Sequence, residues 1–302
     1  MGTPEFAVPS LEVLINQSFE ICGVVTAPDK PRGRGQEMLP TAVKDSALRH
    51  HLNLLQPVSL KDPLFAEQIK TCRPDLIVVV AFRILPREVF TIPRLGSINL
   101  HASLLPKYRG AAPINWAIMK GEKETGVTTF FLAERVDTGR LLQQASMPIG
   151  PDDDAGIIHD RLATLGADLL LSTVRSIEAG DVHPLPQDDT LASPAPKIFK
   201  EDCRIRWDAP AETAHNLIRG LSPRPGAFTS HRGKTLKIYR SQILDTPSSG
   251  APGTAEASGT GLKVHTRDRL IAILEIQQEG KSRMGIEEFL RGYRFAAGEK
   301  LT

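Results

Sequence analysis

Three side chains in this sequence are of the types that carry an acyl group to an amine. Asn99 and His101 stand two apart in Ser97-Ile98-Asn99-Leu100-His101, and Asp137 opens the later turn Asp137-Thr138-Gly139. Side chains two apart on a strand share a face, so Asn99 and His101 point one way while Ile98 and Leu100 point into packing. Attack of an amine on an acyl carbon builds negative charge on the carbonyl oxygen. An aimed amide donor such as Asn99 stabilises that oxyanion, by about 3–4 kcal/mol when well placed. His101 can relay protons near neutral pH. Asp137, set beside the ring, would orient it and favour its protonated form. A second reading fits the same residues: a hydrogen-bonded structural histidine after a strand, and an aspartate capping its own turn. Residue types and spacing leave both open.

Positioning such a trio needs a strand end and a nearby turn, and the first half of the chain supplies them. Helical spacing runs over Pro9–Ile15, Thr41–His50, Pro63–Thr71 and Ala112–Lys120. Strand-like segments lie between them at Ile21–Val25, Leu54–Leu55, Leu76–Val80 and Ser97–Leu100. The continuous, mostly β-branched Leu76-Ile77-Val78-Val79-Val80 run suits a strand buried on both faces. This alternation predicts an α/β fold, a mostly parallel sheet covered by helices. Ligands in such sheets bind beyond the carboxyl ends of the strands, which is where Asn99 and His101 fall. Two longer strands follow near Val127–Leu132 and Leu141–Pro148. Asp152-Asp153-Asp154 then precedes a helix from Ala155 to Ala179. The three acids are read as a helix cap rather than as metal ligands.

Residues 183–197 carry Pro184, Pro186, Pro194 and Pro196 with few large apolar groups, a linker composition. Beyond them Pro210–Leu221 reads as one helix. Leu236–Tyr239, Leu262–His265 and Leu270–Ile276 read as strands of a small mostly-β domain that fits a barrel. The expected organisation is a catalytic domain over 1–182, a linker over 183–202 and a β domain over 203–302.

Bulk properties narrow the class. With 302 residues, 41% hydrophobic and 24% charged, the chain has the composition of a soluble globular protein. It has no apolar run long enough for a membrane span and no secretory leader pattern, so a cytoplasmic location is expected. Cys22, Cys72 and Cys203 lack metal or redox spacing, and two of them are read as core residues near strands. No ligand cluster or phosphate-binding glycine fingerprint appears, so neither a metal nor a nucleotide cofactor is expected. Residues 203–302 hold 16 Lys+Arg against 10 Asp+Glu, a net of +6, while the rest of the chain nets −4. A basic third on an acidic body points to a polyanionic partner, or to ordinary surface variation.

Asn99-x-His101-x-Ser103-Leu104-Leu105-Pro106, followed in order by Asp137-Thr138-Gly139, resembles the signature of the formyltransferases that use 10-formyltetrahydrofolate. The resemblance implies a Rossmann-like catalytic domain with catalytic Asn99, His101 and Asp137. It implies folate contacts at Ser103, Leu104, Leu105 and Pro106. It also implies a pterin site near Ala81-Phe82-Arg83-Ile84-Leu85-Pro86, with Phe82, Ile84 and Leu85 as contacts. Family members often have one more residue in this last loop.

Among relatives sharing this core, three features are similar to the branch that formylates methionyl initiator tRNA for translation initiation. They are the opening turn Gly2-Thr3-Pro4-Glu5-Phe6-Ala7-Val8-Pro9, the basic loop Pro28-Asp29-Lys30-Pro31-Arg32-Gly33-Arg34-Gly35, and an open-barrel, OB-like C-terminal domain. That domain is marked by Ile205-Arg206-Trp207, Asn216-Leu217-Ile218-Arg219 and Ser222-Pro223-Arg224-Pro225-Gly226-Ala227. The resemblance implies tRNA contacts at Lys30, Arg32 and Arg34, in a Gly/Pro loop suited to phosphates. It further implies a monomeric enzyme with methionyl initiator tRNA and a folate as partners. The alternatives are a formyltransferase acting on a sugar-nucleotide amine and an inactive RNA-binding relative. Family members begin with a short apolar strand before the Gly-Thr-Pro turn. Here Met1-Gly2 stands in its place, so the expectation is a sheet without its first strand, from a start site assigned too late or a trimmed chain.

Overall fold

A computed structural model describes residues 1–32 and 37–302. In chain order the helices are α1 (Val8–Asn16), α2 (Ala42–Arg49), α3 (Pro63–Cys72), α4 (Arg87–Phe90), α5 (Pro113–Met119), α6 (Ala155–Glu178), α7 (Ala211–Gly220) and α8 (Ile286–Gly292). The strands of the first two hundred residues are β1 (Val24–Val25), β2 (Lys30–Arg32), β3 (Glu37–Leu39), β4 (Leu54–Leu55), β5 (Ile77–Val80), β6 (Ser97–His101), β7 (Arg109–Gly110), β8 (Glu124–Phe131), β9 (Leu141–Pro148) and β10 (Pro194–Ala195). The remainder are β11 (Ala227–His231), β12 (Lys234–Pro247), β13 (Ala255–Ser258), β14 (Gly261–His265), β15 (Arg269–Gln278) and β16 (Met284–Gly285).

The chain forms two compact units. One gathers Met1–Gly110, Gly126–Met147 and His159–Pro194; the other gathers Ala111–Thr125, Pro148–Ile158 and Ala195–Thr302.

In the first unit, β5 and β6 pair in parallel with Val79 opposite Asn99. β8 then runs antiparallel to β6, with His101 opposite Thr128, and β9 lies beyond it. β1 and β4 make a second parallel pair. Residues 1 and 2 join the two pairs: Gly2 N–H donates to Val25 O at 3.0 Å, and Val80 N–H donates to Met1 O at 2.9 Å. The Met1 amino group donates to Val78 O at 2.6 Å, and burial pulls its pKa down to about 5. The expected α/β class is therefore present, parallel where the crossover helices lie and antiparallel from β8 onward. The strand expected over Ile21–Val25 is shorter, confined to Val24–Val25, because only these two residues pair with β4.

Helix starts follow their caps. The Thr41 hydroxyl accepts from Lys44 N at 3.0 Å, and the Asp62 carboxylate accepts from Leu64 N at 3.0 Å with Pro63 as first helical residue. Val25, Phe65, Ile69, Ile77, Val79 and Leu85 close one core on the sheet. Gly166 of α6 lies directly on β6: a Cβ there would stand 2.8 Å from a Leu100 methyl. The Thr129 and Thr173 hydroxyls meet at 2.8 Å in the same layer.

The second unit holds a six-stranded antiparallel sheet in the order β11-β12-β15-β14-β13, with β16 added on β15. Ile218 and Leu221 of the α7 region pack with Leu236, Ile238, Val264 and Ile273 on it. Three of its strands and α7 match the expected pattern. The short β11, β13 and β16, and α8, did not stand out from their turns. Asp154 caps α6 through Ile157 N at 2.9 Å, and Asp153 accepts from Gly150 N at 2.7 Å, so two of the three acids serve backbone donors. Of the three cysteines only Cys203 is buried; Cys72 is half-buried and Cys22 exposed, one fewer core cysteine than expected. All three are free thiols, and no helix among the described residues is long and apolar enough to cross a membrane.

Candidate active site

Strand β6 ends in the residues singled out by the sequence. Ile98 and Leu100 are buried, as alternation requires. Asn99 is half-buried, and among the described residues its side chain makes no hydrogen bond within the protein, so its amide remains available. His101 is 6% exposed. Its Nε2 lies 2.9 Å from Tyr108 O. A carbonyl can only accept, so Nε2 carries the hydrogen. Nδ1 then faces the Asp137 carboxylate, with Oδ2 at 3.8 Å. That distance lies outside hydrogen-bond range. The imidazole is thus fixed in orientation chiefly through Tyr108, a residue the sequence did not mark for this role.

Asp137 takes a left-handed backbone, φ 55°, which costs a non-glycine residue roughly 1–3 kcal/mol. Its Oδ2 accepts from Gly110 N at 2.9 Å. Gly139 is required by contact: an added Cβ would stand 1.6 Å from Phe131 O. Tyr108 is also left-handed, φ 62°, and its N–H donates to Ser193 Oγ at 2.9 Å. Arg109 N–H donates to Ser193 O at 2.9 Å. The stretch expected to be linker therefore supplies bonds to the loop that holds His101.

Ser103, Leu104, Leu105 and Pro106 form the turn directly after β6. Ser103 Oγ donates to Lys107 O at 2.7 Å. Thr128 Oγ1 donates to Ser103 O at 2.6 Å and accepts from Leu105 N at 3.1 Å and Gln144 Nε2 at 2.9 Å. Gln144 Nε2 also donates to Leu105 O at 2.8 Å. Leu105 is buried, while Leu104 and Pro106 are half-buried. Thr128 and Gln144 come from β8 and β9 and escaped sequence reading, because nothing in their own neighbourhoods distinguishes them.

The loop after β5 lies beside this turn, since Val80 pairs with Leu100. Arg83 donates to Pro57 O at 2.7 Å and Val58 O at 2.9 Å, and its guanidinium lies over the Phe82 ring at 5.3 Å. Burial holds the Arg83 pKa below its ordinary value. Leu85 turns into the core, Phe82 is half-buried, and Ile84 is 74% exposed. Phe82 and Ile84 thus leave apolar surface exposed.

The basic segment is not a plain loop. Lys30–Arg32 pairs antiparallel with Glu37–Leu39, making a hairpin base with Lys30 exposed. Asp29 anchors it, with one carboxylate oxygen 2.5 Å from Lys44 Nζ and the other accepting from Gln56 at 2.9 Å. The Lys44 ammonium, then the Gln56 amide, lower the Asp29 pKa. The Arg32 side chain and the whole of Arg34 lie outside the described residues.

An available amide, an oriented imidazole and a carboxylate thus lie at the end of a strand in an α/β sheet, the residue types that acyl transfer to an amine calls for. Residues 1–174 match the formyl transferase family model, and residues 197–294 match that of the formyl transferase C-terminal domain. The chain is 47% identical over 303 residues to a methionyl-tRNA formyltransferase of Syntrophus aciditrophicus, covering 100% of this chain and 97% of the relative. It is also 47% identical to the methionyl-tRNA formyltransferase of Caldanaerobacter subterraneus, over 99% of this chain and 97% of that one. The chain belongs to the formyl transferase family. Its fold is similar to that of an N-formyltransferase from Helicobacter canadensis, solved with folinic acid and dTDP-3-aminofucose. The TM-score is 0.68 at 21% identity, over 90% of this chain and 96% of that one.

Proposed function

We propose that the chain transfers a formyl group from 10-formyltetrahydrofolate to the α-amino group of methionine on initiator tRNA. The observation that carries this reading is the site at the end of β6: Asn99 with an available amide beside His101, whose Nδ1 makes no hydrogen bond among the described residues and faces Asp137. Identity of 47% over nearly the full length to methionyl-tRNA formyltransferases supports tRNA as the acceptor.

The neutral amine attacks the formyl carbon. Asn99 donates to the oxygen as it becomes an oxyanion, and a second donor comes from Nδ1 of the protonated His101 ring. As the bond from the formyl carbon to the folate nitrogen breaks, Nδ1 gives its hydrogen to that departing nitrogen and then takes up the proton shed by the amine, which restores the ring. The Asp137 carboxylate lies on the Nδ1 side of the ring at 3.8 Å. The folate lies along Ser103–Pro106, its flat ring against Phe82, Ile84 and Leu85. Lys30, Arg32 and Arg34 meet tRNA phosphates, assisted by the basic region 203–302. The enzyme works as a monomer in the cytoplasm, without a metal.

Formyl transfer to methionyl initiator tRNA, measured beside Asn99→Ala and His101→Ala, tests this. The reading requires turnover by the unaltered chain and its loss in both variants. Turnover with a sugar-nucleotide amine but not with tRNA would replace the acceptor. Turnover that survives both substitutions would remove the site.

A further inference from the structure

One amide outside the motif reaches both walls of the Asp137 cradle. Gln187 Nε2 donates to Asp137 O and to Gly139 O, each at 2.9 Å. Its Oε1 accepts from Arg109 Nη2 at 2.7 Å and Nε at 3.1 Å. Only one orientation of the amide satisfies these four contacts. The flipped group would set its oxygen against two carbonyls and its NH2 against a guanidinium. Arg109 is held in turn by Asp189 at 2.8 Å, and its side chain is 14% exposed.

Asp137 needs such support. Its left-handed backbone is strained, and among the described residues its carboxylate takes its hydrogen bond from Gly110 N, the residue after Arg109. Gln187 therefore ties the turn 137–139 to the segment 109–110 from behind. The chain on either side of Gln187 is laid along the same turn. Leu185 and Leu141 exchange backbone hydrogen bonds at 2.8 and 2.9 Å, and Arg140 donates to Pro184 O.

We propose that Gln187 is a positioning residue for formyl transfer: its amide clamps the 137–139 turn to Arg109 and so sets where the Asp137 carboxylate stands relative to His101. This rests on the reading of Asn99, His101 and Asp137 as the reacting site. A displacement near 1 Å at a reacting group can cost about a hundredfold in rate.

The test compares Gln187→Glu and Gln187→Met with the unaltered enzyme. Gln187→Glu keeps the shape and the Arg109 contact but, when ionised, offers no hydrogen to the two carbonyls. Steady-state formylation should show kcat reduced by roughly 10–100-fold in both, with KM for the folate and for tRNA within about twofold. Far-ultraviolet dichroism should be unchanged. Lowering the pH should restore Gln187→Glu relative to Gln187→Met, because a protonated carboxyl can donate once. Unchanged kcat in folded variants overturns the proposal, as does a loss shared equally by kcat and the KM values, or a loss of fold in both. Asn99→Ala measured alongside separates the two layers: if it too keeps full turnover, the site reading fails rather than the clamp.

Discussion

The Asp137 carboxylate stands 3.8 Å from Nδ1 of His101, and its hydrogen bond goes instead to the backbone of Gly110 at 2.9 Å. The two side chains share no hydrogen bond. Asp137→Asn should therefore keep the Gly110 bond through its amide oxygen while removing the charge. Formylation by a folded Asp137→Asn should fall at least tenfold. A rate near that of the unaltered enzyme would show that charge at this position is dispensable.

Among the described residues the Asn99 side chain makes no hydrogen bond, so its amide can be removed at little structural cost. Asn99→Ala is expected to lower kcat by about 10²–10³-fold, the usual loss for one oxyanion donor. Its melting temperature should stay close to that of the parent. A parallel loss of stability would mean that the amide is structural.

Gly139 lies on Phe131 O with no room for a side chain. Gly139→Ala should destabilise the fold by about 2–4 kcal/mol, as backbone and strand must part. Urea unfolding reads this directly, and an unchanged midpoint would contradict the geometry.

For the basic hairpin, Lys30→Ala and Arg34→Ala should raise KM for tRNA and leave KM for the folate alone. Each lost phosphate contact should reduce the slope of log affinity against log salt by about 1. Filter binding over a salt series would show it, and an unaltered slope would move the tRNA footprint elsewhere.

His215 in the second unit is lowered in pKa by burial, partly opposed by its contact with Pro151 O at 3.3 Å. The unfolded chain takes up this proton near pH 6.5, the folded one only lower, so between them the unfolded state binds more protons. This contribution to stability is complete above about pH 6.5 and lost as pH falls through the folded value. The urea midpoint should drop between about pH 7.5 and pH 5.5, and His215→Gln should flatten that drop. Equal slopes for both proteins would exclude His215 as the cause.

Elements with a strong period were legible from the residues alone. The β-branched run of β5 and the capped starts of α2 and α3 announce themselves locally. Asn99 and His101 were legible because alternation on β6 fixes their direction. Part of what failed to show has partners far away in sequence. Thr128 and Gln144 brace Ser103 and Leu105 across strands, and Ser193 holds Tyr108. The grip of Tyr108 on His101 is made by a carbonyl, a group every residue possesses, so no side-chain pattern encodes it. The shortening of β1 likewise follows from pairing with β4, which the apolar run over Ile21–Val25 does not specify.

The bonds that Ser193 makes to Tyr108 and Arg109 bear on where the polypeptide can be divided. A fragment ended after the long α6 would keep every residue of the motif yet lose this support. A portable catalytic module has to extend to about Pro194, where the first compact unit ends. Chimeras that exchange C-terminal halves among relatives should therefore join the pieces beyond that proline, leaving the proline-rich passage with the half that carries the chemistry.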